Sequence, residues 1–170
     1  MTSPEFGLRA LYDALDAQRR ERRLSWTGVA AEVNRHRTVL PPIAVSTILG
    51  LRDKATGEGD AVLQMLLWLR KTPESFVPDI ADPDAARFRL PELTAGQILR
   101  WDTRALHAQA DARRRERGMP WTEVGGEIGG YTPAMLTRLA EGGRTSFPHV
   151  MRLVRWLDRP AVTFTRIADW

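Results

Sequence analysis

The feature that most constrains this chain is that it contains much of itself twice. The segment 10–33, running Ala-Leu-Tyr-Asp-Ala-Leu-Asp-Ala and on through Trp26 to Val33, returns as 105–128. Asp16 answers to Asp111, Trp26 to Trp121 and Glu32 to Glu127. Further on, 48–76 matches 136–164, pairing Trp68 with Trp156 and Phe76 with Phe164. The offset shortens because the first copy carries seven extra residues between Val33 and Ser46. Self-similarity over this length means one supersecondary unit used twice. The expected organisation is a first domain at 1–77 with a long turn insertion at 34–45, a linker at 78–92 and a second domain at 93–170. Pro78, Pro83 and Pro91 deny the linker a continuous helix, since each lacks an N–H and biases its neighbour toward extended geometry. Phe88 and Leu90 alternate there with arginines, which suits a segment lying along a domain surface.

Each copy reads as short helices. The first, about Leu8 to Arg22, puts Leu8, Leu11, Tyr12 and Leu15 on one face and ends in arginines, which favours the negative end of the helix dipole. Its counterpart starts at Asp102 or Thr103, or earlier if Thr94 and Gln97 form a capping box. Ser25 caps a second helix with Trp26, Val29, Ala30 and Val33 at i, i+3, i+4, i+7, a pattern repeated by Trp121, Val124, Gly125 and Ile128. A closing helix carries Val62, Met65, Leu66 and Leu69, then Val150, Leu153, Val154 and Leu157, with Pro73 and Pro160 beyond as stops. No segment alternates as a strand would. The fold class expected is all-α.

Composition narrows the function more than it defines it. No apolar run approaches the roughly 20 residues a membrane span needs, and residues 1–8 lack an export signal. With no cysteine there is neither a disulfide nor a thiolate metal site, and a cytoplasmic location is expected. His36, His107 and His149 share no ligand spacing. No nucleophile–base pair or phosphate-binding glycine loop stands out, and Gly57-Glu-Gly59 is too short to be one. Neither an enzyme nor a cofactor is expected. The net charge is +4 and the sequence pI about 10.3, with Lys54 and Lys71 the only lysines. The arginine excess follows from a GC-rich genome or from nucleic-acid binding, where guanidinium matches phosphate and guanine geometry.

The turn before the third helix carries the functional reading. In the second copy, Gly125 and Gly126 offer close approach, Gly129 and Gly130 supply the turn, and Thr132 caps a helix with Pro133 at its first position. Leu136 and Leu139 face inward, and Gly142 and Gly143 end the helix. The run Trp121 to Ile128, Gly130-Tyr-Thr-Pro-Ala and Leu136-Thr-Arg-Leu-Ala-Glu-Gly142 resembles the Cro/XRE-type, repressor-like helix-turn-helix family, and the likeness extends over most of the chain. The resemblance implies two tandem five-helix domains joined by a Pro-rich linker, in a bacterial transcription regulator whose partner is double-stranded DNA, the third helix lying in the major groove. On that likeness Thr132, Ala134, Thr137 and Arg138 face base edges or flanking phosphates, Thr122 meets the backbone, and Arg144 follows just beyond. One departure is Trp26 and Trp121 where the family often has glutamine; an indole donates one N–H and cannot make an amide's paired bonds.

The first copy departs further. Its third helix, roughly Pro42 to Leu51, offers Ser46 and Thr47, with Arg52 and Lys54 beyond, but has Leu49 and Gly50 where the second copy has Thr137 and Arg138. In its long turn, Arg35, His36 and Arg37 form a basic loop tracking phosphates, or Val39, Leu40 and Ile43 form an apolar patch for docking onto the other copy, a second chain or a protein partner. The arginine clusters at 19–23 and 113–117 read as solvated helix ends paired with Glu21 and Glu116. Four of the six tryptophans are expected in the core, leaving Trp101 and Trp170 as surface or interface residues. Two functions stay open: a DNA-binding regulator, or an antitoxin-like or regulator-binding interaction module on the same scaffold.

Overall fold

Helix caps and stops written into the sequence account for most of the architecture. The structure is a computed structural model, and it describes residues 7–35, 41–54 and 56–169. Helix α1 spans Leu8–Glu21, α2 Trp26–Val33, α3 Val45–Gly50 and α4 Gly59–Leu69, followed by a 3-10 turn at Pro73–Phe76. A second 3-10 turn, Ala86–Phe88, leads to strand β1 (Gln97–Trp101). Then come α5 (Thr103–Glu116), α6 (Trp121–Ile128), α7 (Pro133–Ala140), α8 (Phe147–Leu157), a 3-10 turn at Ala161–Phe164 and strand β2 (Thr165–Asp169). The bounds of α1 and α2 recur in α5 and α6 at the spacing of Trp26 to Trp121, and α4 recurs in α8 at that of Trp68 to Trp156. Among the described residues four α-helices and a closing 3-10 turn stand in each half, and where a fifth helix was expected there is a single tight turn headed by a proline or following one.

The caps are those the sequence offers. Ser25 accepts from the Gly28 N–H at 3.1 Å, and Asp102 from that of Ala105 at 2.9 Å. Thr94 and Gln97 do not start a helix. The Gln97 side chain accepts from the Thr94 N–H in a turn that launches β1.

Strands were not expected, and the ribbon is a correction. β1 pairs antiparallel with β2, Leu99 opposite Ile167 and Arg100 opposite Arg166. β1 docks on α4: the buried Gln64 amide donates to the Leu99 carbonyl at 2.6 Å, and Asp60 accepts from the Trp101 N–H at 2.9 Å. Trp101 is 4% exposed, its indole N–H on the Gly59 carbonyl at 3.0 Å. Of the two readings, surface or interface, its burial excludes the first and fits the second: it seals the junction between the halves. Trp170 lies outside the described residues.

A continuous core runs through both halves, with α4 and α8 packed together at its centre. Val62, Leu63, Met65 and Leu66 of α4 and Val150, Leu153 and Val154 of α8 are essentially sealed from solvent. Just before these helices the chain pairs with itself. Glu58 and Ser146, equivalent positions of the repeat, form an antiparallel bridge. The Gly59 N–H donates to the Thr145 carbonyl at 2.9 Å and the Phe147 N–H to the Gly57 carbonyl at 2.8 Å. The two bonds are reciprocal. The segment 78–92 also packs: Phe88 is buried, Thr72 donates to the Pro83 carbonyl at 2.6 Å, and Lys71 pairs with Asp84.

Trp26, Trp68, Trp121 and Trp156 are half-buried at the core's rim, not inside it. Ile43 is 7% exposed, and its backbone N–H and carbonyl are both held by the Asn34 side chain. It therefore belongs to the core and to no docking patch. His36, Val39 and Leu40 lie outside the described residues.

Candidate nucleic-acid interface

The α6–α7 corner is built from backbone constraints. Gly129 and Gly130 take φ of 83° and 76°, a region costly for any side chain. Gly125 lies against the Tyr131 carbonyl so closely that a Cβ there would overlap it. Gly126, expected to serve the same purpose, has open space around it. Tyr131 is buried and its hydroxyl donates to the His149 carbonyl at 2.7 Å, tying the corner to α8. Burial raises the Tyr131 pKa and lowers that of His149, so both rings stay neutral at physiological pH. Thr132 accepts from the Met135 N–H at 3.3 Å, and Pro133 occupies the first turn.

From that corner α7 projects with Leu136 and Leu139 sunk into the core. Thr132, Ala134, Thr137 and Arg138 are all exposed, as are Thr122 on α6 and Arg144 beyond α7. The Thr137 hydroxyl donates to the Pro133 carbonyl at 3.0 Å, leaving its lone pairs outward. Among the described residues no ion pair engages Arg138 or Arg144. Glu141 shares the helix end, where its carbonyl accepts from Arg104.

In the first half Ser46 and Thr47 are exposed on α3, a helix of six residues instead of the ten expected, because residues 41–44 are not helical and Ala44, in extended geometry, is its N-cap. Arg35 and Arg52 are exposed, Arg52 paired with Asp53 at 3.2 Å. Lys54 lies over Gly50. Arg37 is outside the described residues. Leu49 is 38% exposed, at the place Thr137 holds on α7. The polar set is thus gathered on α7 and diluted on α3.

The arginine clusters are engaged internally, though not by Glu21 and Glu116. Arg19 and Arg20 pair with Asp16, and Arg114 and Arg115 with Asp111. Arg22 meets Glu32, which also accepts the Trp68 indole N–H at 2.7 Å. Arg117 meets Glu127, which accepts the Trp156 N–H at 2.9 Å. Arg113 lies 5.0 Å over the Trp156 ring, and Arg114 4.8 Å over Trp121, which stacks on His107. The Arg117 hydrogen bond, then that of Trp156, lowers the Glu127 pKa to about 2. The Trp68 bond, then that of Arg22, lowers Glu32. These clasps fix α2 to α4 and α6 to α8, and so orient the helices that follow.

Sequence reasoning missed a second basic feature. Arg100, Arg104, Arg144 and Arg166 line a cleft beside the end of α7. Its signal lay in β1 and β2, whose pairing brings Arg100 and Arg166 together. Among the described residues no cluster of His, Asp and Glu is placed to hold a metal ion, and no helix is long and apolar enough to cross a membrane. Compared with known proteins, the chain matches no family model, no curated protein and no solved structure.

Proposed function

We propose that the chain is a sequence-specific DNA-binding transcription regulator, with α1–α4 and α5–α8 as two tandem helix-turn-helix units and α7 as the principal reading helix. The observation that carries this is α7 itself: a short capped helix, seated on buried leucines, with a small and polar outer face of Ala134, Thr137 and Arg138. Alanine admits close approach, threonine contacts bases or phosphate, and arginine reads guanine edges. The reciprocal bonds around Glu58 and Ser146 support a covalent pseudo-dimer, which would address two half-sites. Leu49 on α3 makes those half-sites unequal.

Selection of bound sequences from random duplexes supplies the cognate site. Thr137→Ala with Arg138→Ala should then weaken cognate binding by roughly tenfold or more, since each base contact is worth about 1–3 kcal/mol. Circular dichroism should be unchanged, because both side chains are exposed. Equal binding by wild type and the double variant would end this reading.

A second reading has a specific observation in its favour. The exposed Leu49, on a helix lacking an arginine at its outer face, suits a protein partner in place of DNA. Leu49→Asp separates the two: it leaves cognate DNA affinity within about twofold if α7 dominates, and abolishes complex formation if α3 is a docking helix.

A further inference from the structure

We infer that the cleft beside the end of α7 is a seat for a phosphate-type oxyanion. It has a volume of about 450 Å³, room for a diphosphate or a stretch of phosphodiester, and draws its lining from both halves. Four guanidinium groups face two carboxylates there: Arg100, Arg104, Arg144 and Arg166 against Asp60 and Asp102. Both carboxylates are already occupied. Asp60 accepts from the Trp101 N–H and from Arg100 at 3.2 Å, and Asp102 caps α5. Among the described residues no ion pair engages Arg144 or Arg166.

The ribbon register places two of these arginines side by side. Arg100 and Arg166 stand directly opposite each other and so share one face of β1–β2, a like-charge pairing of which Asp60 offsets the Arg100 member. Arg104 is laid across Gly142, whose φ of 79° and lack of a side chain admit the guanidinium, and donates to the Glu141 carbonyl at 3.3 Å. Gly143 is pressed against the Arg138 carbonyl. Arg144, next in the chain, is exposed on the cleft wall. Guanidinium groups carried by a strand pair, a helix start and a loop line the cleft, and such planar forks are the donors suited to phosphate oxygens. A phosphate of the DNA backbone and a free phosphorylated molecule share this chemistry.

The test uses the full chain and two probes, pyrophosphate and a non-cognate duplex. Arg144→Gln with Arg166→Gln removes two cleft charges, while Arg89→Gln with Arg155→Gln removes two exposed charges elsewhere. By calorimetry at constant ionic strength, the cleft variant should bind pyrophosphate at least tenfold more weakly than wild type, with the control pair within twofold. If the occupant is backbone phosphate, the cleft variant also lowers the slope of log affinity against log salt for the duplex by about 2, and pyrophosphate competes with the duplex. If the occupant is a free molecule, duplex binding is unchanged. Equal losses in the cleft and control pairs, or no loss of either probe, overturn the assignment. The pyrophosphate arm does not depend on α7, so failure of the Thr137/Arg138 variant would leave it standing.

Discussion

A methyl group added at Gly125 would collide with the Tyr131 carbonyl oxygen, whereas one added at the next residue, Gly126, meets nothing. Gly125→Ala should therefore cost about 1–3 kcal/mol by overpacking. Gly126→Ala, on an exposed helical position, should stabilise by about 0.5–1 kcal/mol. Chemical denaturation of the two variants checks both signs. The sequence made these glycines look alike, because a pair of small residues does not say which one faces its neighbour. Glu74 is a second case. It is 2% exposed, with one oxygen on the Ala161 N–H at 2.7 Å and the other unpartnered. Burial, outweighing that hydrogen bond, raises its pKa above the ordinary 4.5. A raised carboxyl pKa means stability fully present below pH 4.5 and lost as pH climbs through the folded value. Glu74→Gln should raise the melting temperature at pH 7, with the gain shrinking as the pH falls toward 4.

At the scale of elements the sign reverses. The Glu32 and Glu127 clasps join α2 to α4 and α6 to α8 through carboxylates whose pKa values are lowered, Glu127 to about 2. Their contribution is present above pH 4.5 and is lost as the pH falls toward 2. Glu127→Gln should melt lower at pH 7 and show a flatter decline in melting temperature between pH 4.5 and 2 than wild type. The helices themselves were legible, since caps such as Ser25, Asp102 and Thr132 and the i, i+3, i+4 patterns are local. The strands were not. β1 buries the adjacent residues Ile98 and Leu99 together with Trp101, so it lacks alternation, and what holds it, Gln64 and Asp60, is distant in sequence. The arginine cleft was hidden for the same reason. The outward residues of α7 are named from the resemblance, while the sequence itself supplies the Thr132 cap, Pro133 and the inward Leu136 and Leu139. The Arg22–Glu32 and Arg117–Glu127 pairs could not be read from it, because they form only once the helices are packed; the Asp16 and Asp111 pairs are i, i+3 and i, i+4 within one helix and were open to a local reading.

For the whole molecule, the junction at Gly59 is the informative point. A side chain there would press on the Thr145 carbonyl and the Trp101 ring, each 2.8 Å from the added carbon. Because one core runs through both halves, calorimetry of the wild type should show a single cooperative transition. Gly59→Ala should lower its midpoint and, by loosening the junction, broaden the transition or split it in two. Two well-separated transitions in the wild type would show that the halves melt independently.

The reciprocal backbone bonds around Glu58 and Ser146 lie within one polypeptide. A contact between separate subunits fades on dilution, since its partner must arrive from solution. Here the partner is tethered, and its effective concentration does not depend on how much protein the cell makes. If the chain is the regulator proposed above, it would fill its target with a simple hyperbolic response at low copy number, without the sigmoid threshold of a factor that must first pair.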